Sequence, residues 1–208
     1  MIVVVFGAAG RIGRRVVERA LGHGHEVRAF VHMAPLALTH ERLSVITGDV
    51  REFDAVDAAV SGCDAVAFAL SHGSGSDAHI HEAGIANVVH AMAAGDVARL
   101  AAISAAGTFA RSDRNLTFAY RALIATTMRS TYDALEAMER RIMASALDWT
   151  IVRPVGLTDE PATGEYRLSL DGSLLAKASR ISRDDVAALV VKALETDKYV
   201  RRAVVIAQ

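Results

Sequence analysis

The clearest chemistry in this chain lies directly after its first apolar run, in Gly7-Ala8-Ala9-Gly10-Arg11-Ile12-Gly13. Glycines at this spacing, between a strand-like run and a helical one, suit a phosphate-bearing dinucleotide. Gly7 permits a tight turn, Gly10 lets backbone approach a pyrophosphate, and Gly13 lets the helix pack closely. The helix start, reached through Ala9, Arg11 and Ile12, offers free N–H groups and partial positive charge to the phosphates. The spacing is G-x-x-G-x-x-G, not the commoner G-x-G-x-x-G. The plain alternative is a strand-to-helix turn with no ligand.

Further polar residues fall where a second strand, a third and a fifth should end. His32 closes the second, a place where a site preferring NAD usually carries an acid for the ribose hydroxyls. No acid occurs between Glu26 and Glu41. A 2′-phosphate would meet no carboxylate there, and Arg11 and His32 could both approach it, which favours NADP(H) over NAD(H). His32 is otherwise an exposed loop residue. Asp49, after the third strand, either accepts from an adenine amino group or caps the next helix. Ser104 ends the fifth strand and is the best polar candidate near a nicotinamide ring. The alternative is a hydroxyl bonding backbone. His72, after the fourth strand, is a second catalytic candidate or a solvated loop histidine. Phe109, Phe118 and Tyr120 either wall an aromatic acceptor pocket or simply pack.

Other chemistries find less support. Ordinary short-chain dehydrogenases use Tyr-x-x-x-Lys for proton transfer. Ser173, Ala188 and Leu194 stand four residues before Lys177, Lys192 and Lys198, so that motif is absent. His72, His79, His81 and His90 invite a metal reading, but His79 and His81 do not share a helix face, and no metal is expected. Glu136, Glu139, Arg140 and Arg141 read as a solvated charged helix face.

The elements that must position these residues alternate. Strands are expected at Ile2–Phe6, Glu26–Val31, Leu43–Ile46, Asp64–Leu70, Val97–Ser104, Trp149–Val152, Tyr166–Leu170 and Val200–Ile206. Helices are expected at Arg11–Leu21, Glu52–Val60, Ala78–Ala94, Ser130–Ser145 and Ser182–Glu195. Asp184 and Asp185 in the first turn of the last suit its dipole. Trp149 is expected in the core. Strand–helix alternation specifies an α/β fold, a Rossmann-type doubly wound parallel sheet in a single domain. Its ligand site lies at the carboxyl ends of the strands. Loops 71–76, 105–120 and 154–170 would then form the substrate pocket.

Composition narrows the partners. The chain has 208 residues, 52% of them hydrophobic, and a formal net charge of −1. One sizeable core fits this length. The charge argues against a nucleic-acid surface and supplies no polybasic stretch for lipid. No run approaches a membrane span. Cys63 is the only cysteine, so no internal disulfide forms, consistent with a cytoplasmic protein. It is expected as a small buried hydrophobe. Only three of the 23 basic residues are lysine, which with the many alanines suggests a GC-rich bacterial source. A monomer acting on a small molecule is the expected state.

The glycine loop, Gly48-Asp49-Val50, Cys63-Asp64-Ala65-Val66 and the run Asp148–Pro154 together resemble atypical short-chain dehydrogenases with NmrA-like, NAD(P)-binding folds. Within these the chain is similar to the flavin reductase/biliverdin-IXβ reductase group, through Pro161–Gly172 and Ile181–Ala187 as well. The resemblance implies a reductase, typically using NADPH, that passes hydride to a flat conjugated acceptor such as free flavin. It implies cofactor contacts at Gly7, Gly10, Arg11, Ile12, Gly13, Asp49, Val50, Leu70, Ser71 and Ser104. Pro154 and Val155 match the segment beside the nicotinamide. The chain departs from that group at His32, where the group has arginine, and after Pro154, where it has histidine. The group's serine after strand five falls on Ala105. Two other functions fit the same fold: a non-catalytic NAD(P) sensor, and a reductase or epimerase of secondary metabolism.

Overall fold

A computed structural model describes residues 1–70, 80–108 and 128–208. Ser71, His72, His79, Phe109, Phe118 and Tyr120 lie outside the described residues. The wholly apolar run Ile2–Phe6 forms β1 in the interior of the sheet, buried on both faces as a parallel strand should be. The other strands are β2 (Glu26–Val31), β3 (Leu43–Thr47), β4 (Ala65–Phe68), β5 (Arg99–Ile103), β6 (Asp148–Pro154), β7 (Gly156–Thr158), β8 (Arg167–Ser169), β9 (Arg180–Ser182) and β10 (Arg202–Ala207). The helices are α1 (Gly13–Gly22), α2 (Phe53–Val60), α3 (Ile80–Ala94), α4 (Arg129–Ala144) and α5 (Arg183–Glu195).

The main sheet has eight strands in the order β3-β2-β1-β4-β5-β6-β10-β8. All its pairs are parallel except that of the edge strand β8 with β10. The order reverses between β1 and β4, so the topological switch point lies beside the glycine loop. Side-chain alternation divides the core in two. Val3 and Val5 of β1 join the apolar residues of α1 and α5 on one face. Val4 and Phe6 join those of α2, α3 and α4 on the other. Each fully buried side chain of this kind contributes roughly 1.5–3 kcal/mol of transfer free energy, and both faces must be covered. Trp149 and Cys63 are in this core, as expected.

Most strands and helices end a residue or two from the expected bounds, β4, β5 and β8 being shorter, and three of these differences have local reasons. α1 begins at Gly13 rather than Arg11, because the Gly10 N–H closes back onto the Gly7 carbonyl at 2.9 Å. β6 runs on through Arg153 and Pro154 instead of stopping there. A proline at the last position needs no ladder donor, and its carbonyl accepts from the Ala106 N–H at 2.9 Å. β10 starts at Arg202 rather than Val200, after a 3-10 turn over Asp197–Tyr199 and a left-handed Arg201. The small parallel pair β7 and β9 was not foreseen, since three-residue strands carry no periodic signal. No helix among the described residues is long and apolar enough to cross a membrane.

Candidate functional site

The loops at the carboxyl ends of the strands form two clefts, a smaller one at the switch point itself and a larger one beyond β5 and β6. The smaller, about 540 Å³, gathers Gly7, Ala9, Gly10, His32, Asp49, Val50 and Leu70. Seven residues singled out along the sequence therefore meet in one place. Gly7 has φ +77, and a Cβ there would lie 2.6 Å from the Ala69 carbonyl oxygen. A Cβ on Gly13 would stand 2.1 Å from the Gly7 carbonyl oxygen. The third glycine thus lets the helix start sit on the loop itself. Ile12, at the N-cap of α1, provides no side-chain hydrogen bond. The helix start is left for an anion, and a glycine cradle with an uncapped helix fits a dinucleotide pyrophosphate.

Arg11 does not take the place expected of it. Its guanidinium is ion-paired with Asp159, which Arg183 also meets at 3.0 Å and Arg15 at 3.8 Å. Asp159 follows β7, so this pairing ties Arg11 to the C-terminal segment.

The rim beside His32 also differs from the sequence reading. Parallel pairing of β2 with β3 sets Val31 against Thr47 and so brings Asp49 alongside. Its Oδ2 lies 3.8 Å from Nε2 of His32. A carboxylate is therefore present in space although none is nearby in sequence. Arg51 grips it: Nε donates to both carboxylate oxygens at 3.0 Å and Nη2 donates to Oδ2 at 2.5 Å. These side-chain hydrogen bonds hold the Asp49 carboxyl down at about 2. Asp49 is not the cap of α2. The N-cap is Glu52, which makes no side-chain bond, and Asp49 Oδ1 accepts instead from the Arg51 N–H at 2.9 Å. Arg51 was missed by sequence reasoning; the signal was the Asp-x-Arg spacing that such a turn favours.

Two side chains of α3 fix this wall. Asn87 donates to the Val50 carbonyl at 3.0 Å, and Nε2 of the buried His81 lies 3.3 Å from the Leu70 carbonyl oxygen. His90 instead lies against Phe53, ring centroids 4.7 Å apart.

The larger cleft, about 920 Å³, opens beyond β5 and β6. Ser104, Pro154 and Val155 line it, as do residues 105–107, 156–157 and 174–179. The expected loop 105–120 is represented by its first residues and 154–170 by its first four; the 174–179 segment had given no signal. Most of the wall is apolar, and Lys177 is the charged residue among its described lining.

Under Ser104 lies a buried polar network. Its Oγ donates to Glu139 Oε1 at 2.5 Å and lies 3.0 Å from Thr108 Oγ1. Arg153 donates through Nε to Glu139 Oε1 and Oε2, at 3.1 and 3.2 Å, and through Nη2 to Oε2. Glu139 is wholly buried, which overturns its reading as part of a solvated helix face; Glu136 and Arg140 do form an exposed pair. The signal was its spacing, since Leu135, Met138, Glu139 and Ile142 share one stripe of α4. The Ser104 hydroxyl thus bonds side chains rather than backbone. With its proton on Glu139, the Ser104 oxygen accepts from the Thr108 hydroxyl and keeps one further lone pair.

Tyr132, in the first turn of α4, lines the same cleft and packs over Gly107, where a Cβ would meet its ring at 2.6 Å. Glu136 stands four residues on, where a Tyr-x-x-x-Lys site would carry lysine. The first-turn acids of α5 also do more than face its dipole. Asp185 is buried and accepts from the N–H groups of Thr163 and Gly164, at 3.2 and 3.0 Å. The Pro161–Gly172 segment is thereby tied to the start of α5.

Residues 7–197 match the model of a family described as NAD(P)H-binding. A Bacillus subtilis protein named as an uncharacterized sugar epimerase, YhfK, is 29% identical over 98% of this chain and 92% of its own. A Rossmann-fold NAD(P)-binding family protein from Shigella flexneri is 26% identical with a TM-score of 0.73, over 100% of this chain and 93% of that one. A candidate NADH-flavin reductase from Streptococcus pneumoniae superposes with a TM-score of 0.82 at 22% identity, over 100% and 99% of the two chains. That last likeness is one of fold.

Proposed function

The chain belongs to the NAD(P)H-binding family, within the atypical short-chain dehydrogenases, and from this we propose that it is an NAD(P)H-dependent oxidoreductase whose acceptor is a flat conjugated molecule such as a free flavin. The observation that carries this reading is the larger cleft: mostly apolar, at the strand ends, with Glu136 rather than lysine four residues after its one described tyrosine, Tyr132. Such a wall stacks and orients two rings, a proximity effect. The nicotinamide cofactor, when bound, supplies the hydride. Gly7, Gly10 and the start of α1 hold its pyrophosphate. Asp49, Val50 and Leu70 line the side for the adenosine half, and Pro154 and Val155 the side for the nicotinamide. Ser104, its proton turned to Glu139, offers an acceptor to a ligand N–H. A conjugated acceptor takes its proton from solvent, so no buried acid is required.

NADPH is the preferred donor on this reading. The Arg51 guanidinium, which offsets the charge of the Asp49 carboxylate, and the His32 ring beside it offer N–H donors where a 2′-phosphate would sit. Lys177 suits an acceptor with an anionic group, as FMN has and riboflavin lacks.

The test is oxidation of NADPH and NADH by the purified chain, with and without FMN. FMN-dependent turnover with a kcat/KM for NADPH at least tenfold above that for NADH is expected. R51A should lower the NADPH value about tenfold and spare NADH, in keeping with roughly 1.5–3 kcal/mol for a charge-assisted hydrogen bond. K177A should raise the KM for FMN and leave that for riboflavin unchanged. Tight cofactor binding with no turnover would replace this reading by that of a sensor. Tyr132, in the same cleft, favours a second reading, a sugar epimerase as the Bacillus relative is named. Y132F leaves flavin-dependent oxidation within threefold on the first reading and abolishes turnover on the second.

A further inference from the structure

Three side chains converge at the end of α1 opposite the glycine loop. His23 follows the last residue of α1, His25 precedes β2, and Glu195 ends α5. Nδ1 of His23 lies 2.9 Å and Nε2 of His25 2.8 Å from one atom, Oε1 of Glu195. The three atoms all lie within 4.8 Å of one another. Zinc binds imidazole nitrogen at about 2.0–2.1 Å and is tetrahedral, which sets neighbouring ligand atoms about 3.3 Å apart. Side-chain shifts of about 1 Å reach that geometry from the spacing present.

The backbone already fixes both histidines. The His23 N–H donates to the Arg19 carbonyl at 2.9 Å and the His25 N–H to the Ala20 carbonyl at 3.0 Å. Two imidazoles and one carboxylate form a donor set for zinc rather than for magnesium or calcium, which take oxygen. The His25 side chain is 12% exposed and that of His23 50%, so the cluster is anchored on one side and open to a water on the other. Two helix C-termini meet here, and their dipoles favour a cation. Arg42, on the Leu21 carbonyl, and Arg99, on the Ala193 and Thr196 carbonyls, occupy other acceptors of these ends.

We propose that His23, His25 and Glu195 form a divalent transition-metal site of the zinc class, which clips α1, β2 and α5 together. It is separate from the cofactor cradle by the length of α1, about 15 Å for ten residues. Its role is structural: the ion closes the N-terminal and C-terminal parts of the chain onto each other, and the fourth position is taken by water.

The experiment is calorimetric titration of ZnCl2 into the untagged full chain and into an H72A/H79A background, with melting curves in parallel. Binding of one equivalent at micromolar Kd, a zinc-dependent rise in Tm, and at least a tenfold loss of affinity in both H23A and H25A are expected. Cobalt chloride should give the visible absorption of a four-coordinate ion, removed by E195Q. H23A changes an exposed side chain and keeps the test open if H25A folds poorly. Binding weaker than 1 mM, binding unchanged in H23A, or binding abolished by H72A/H79A alone would overturn the proposal.

Discussion

Glu139 and Arg153 face one another beneath Ser104, both removed from water, and neither is cheap to leave alone. Breaking a buried ion pair by removing one charge costs about 3–5 kcal/mol. E139Q should therefore lower the urea midpoint strongly, whereas the double variant E139L/R153M should recover most of the loss, because no unpaired charge remains. The Asp49–Arg51 pair is different, being near the surface and worth only about 0.5 kcal/mol. Its carboxyl titrates below the ordinary value, at about 2 in the folded chain. A depressed carboxyl contributes stability that is present above the unfolded value, about 3.9, and is lost as pH falls through the folded one. The stability difference between the parent chain and R51A should be constant from neutral pH down to about 5, then shrink toward pH 2.

At the scale of the element, the loop and the helix start behave as one unit. A methyl group on Gly13 would stand 2.1 Å from a backbone oxygen that cannot move without opening the turn at Gly7. G13A should weaken NADPH binding at least tenfold, read by fluorescence titration, and destabilise the chain as well. Gly22, where an added methyl group would meet only open space, is the control. G22A, at the last position of α1, should leave cofactor binding unchanged. The turn at Thr163 and Gly164 depends in the same way on Asp185. D185A takes the acceptor from both N–H groups, which lie near enough to the surface for water to replace it in part, and should cost about 0.5–1.5 kcal/mol for each.

For the whole molecule, the two clefts lie along the carboxyl edge of one sheet, the smaller at its switch point and the larger beyond β5 and β6. A dinucleotide spanning both links elements from β1 to β6, so binding stabilises the domain as a body. With free NADPH at a hundred times its Kd, linkage adds about 2.7 kcal/mol. At roughly 2–4 °C per kcal/mol for a chain of this size, Tm should rise by about 5–10 °C. A rise confined to NADPH, with NADH at the same concentration giving much less, would support the Arg51 rim. Equal rises would place the preference elsewhere.

Sequence by itself determined the alternation of strands and helices, the parallel sheet and the glycine cradle, because each is a local pattern. Apolar runs such as Ile2–Phe6 report burial on both faces, and glycines between a strand and a helix report a tight turn. What the sequence left undecided lay in pairings between distant residues. Asp49 reaches His32 only because β3 lies beside β2. Arg11 turns to Asp159 only because the segment after β7 folds back over α1. Glu139 looked like one more charge on a solvated helix until Arg153 and Ser104 met it in the core. His23 and His25 gained a carboxylate from Glu195, some 170 residues away. Electrostatics acts through space, and a charge's partner is fixed by the packing of elements rather than by its neighbours in the chain.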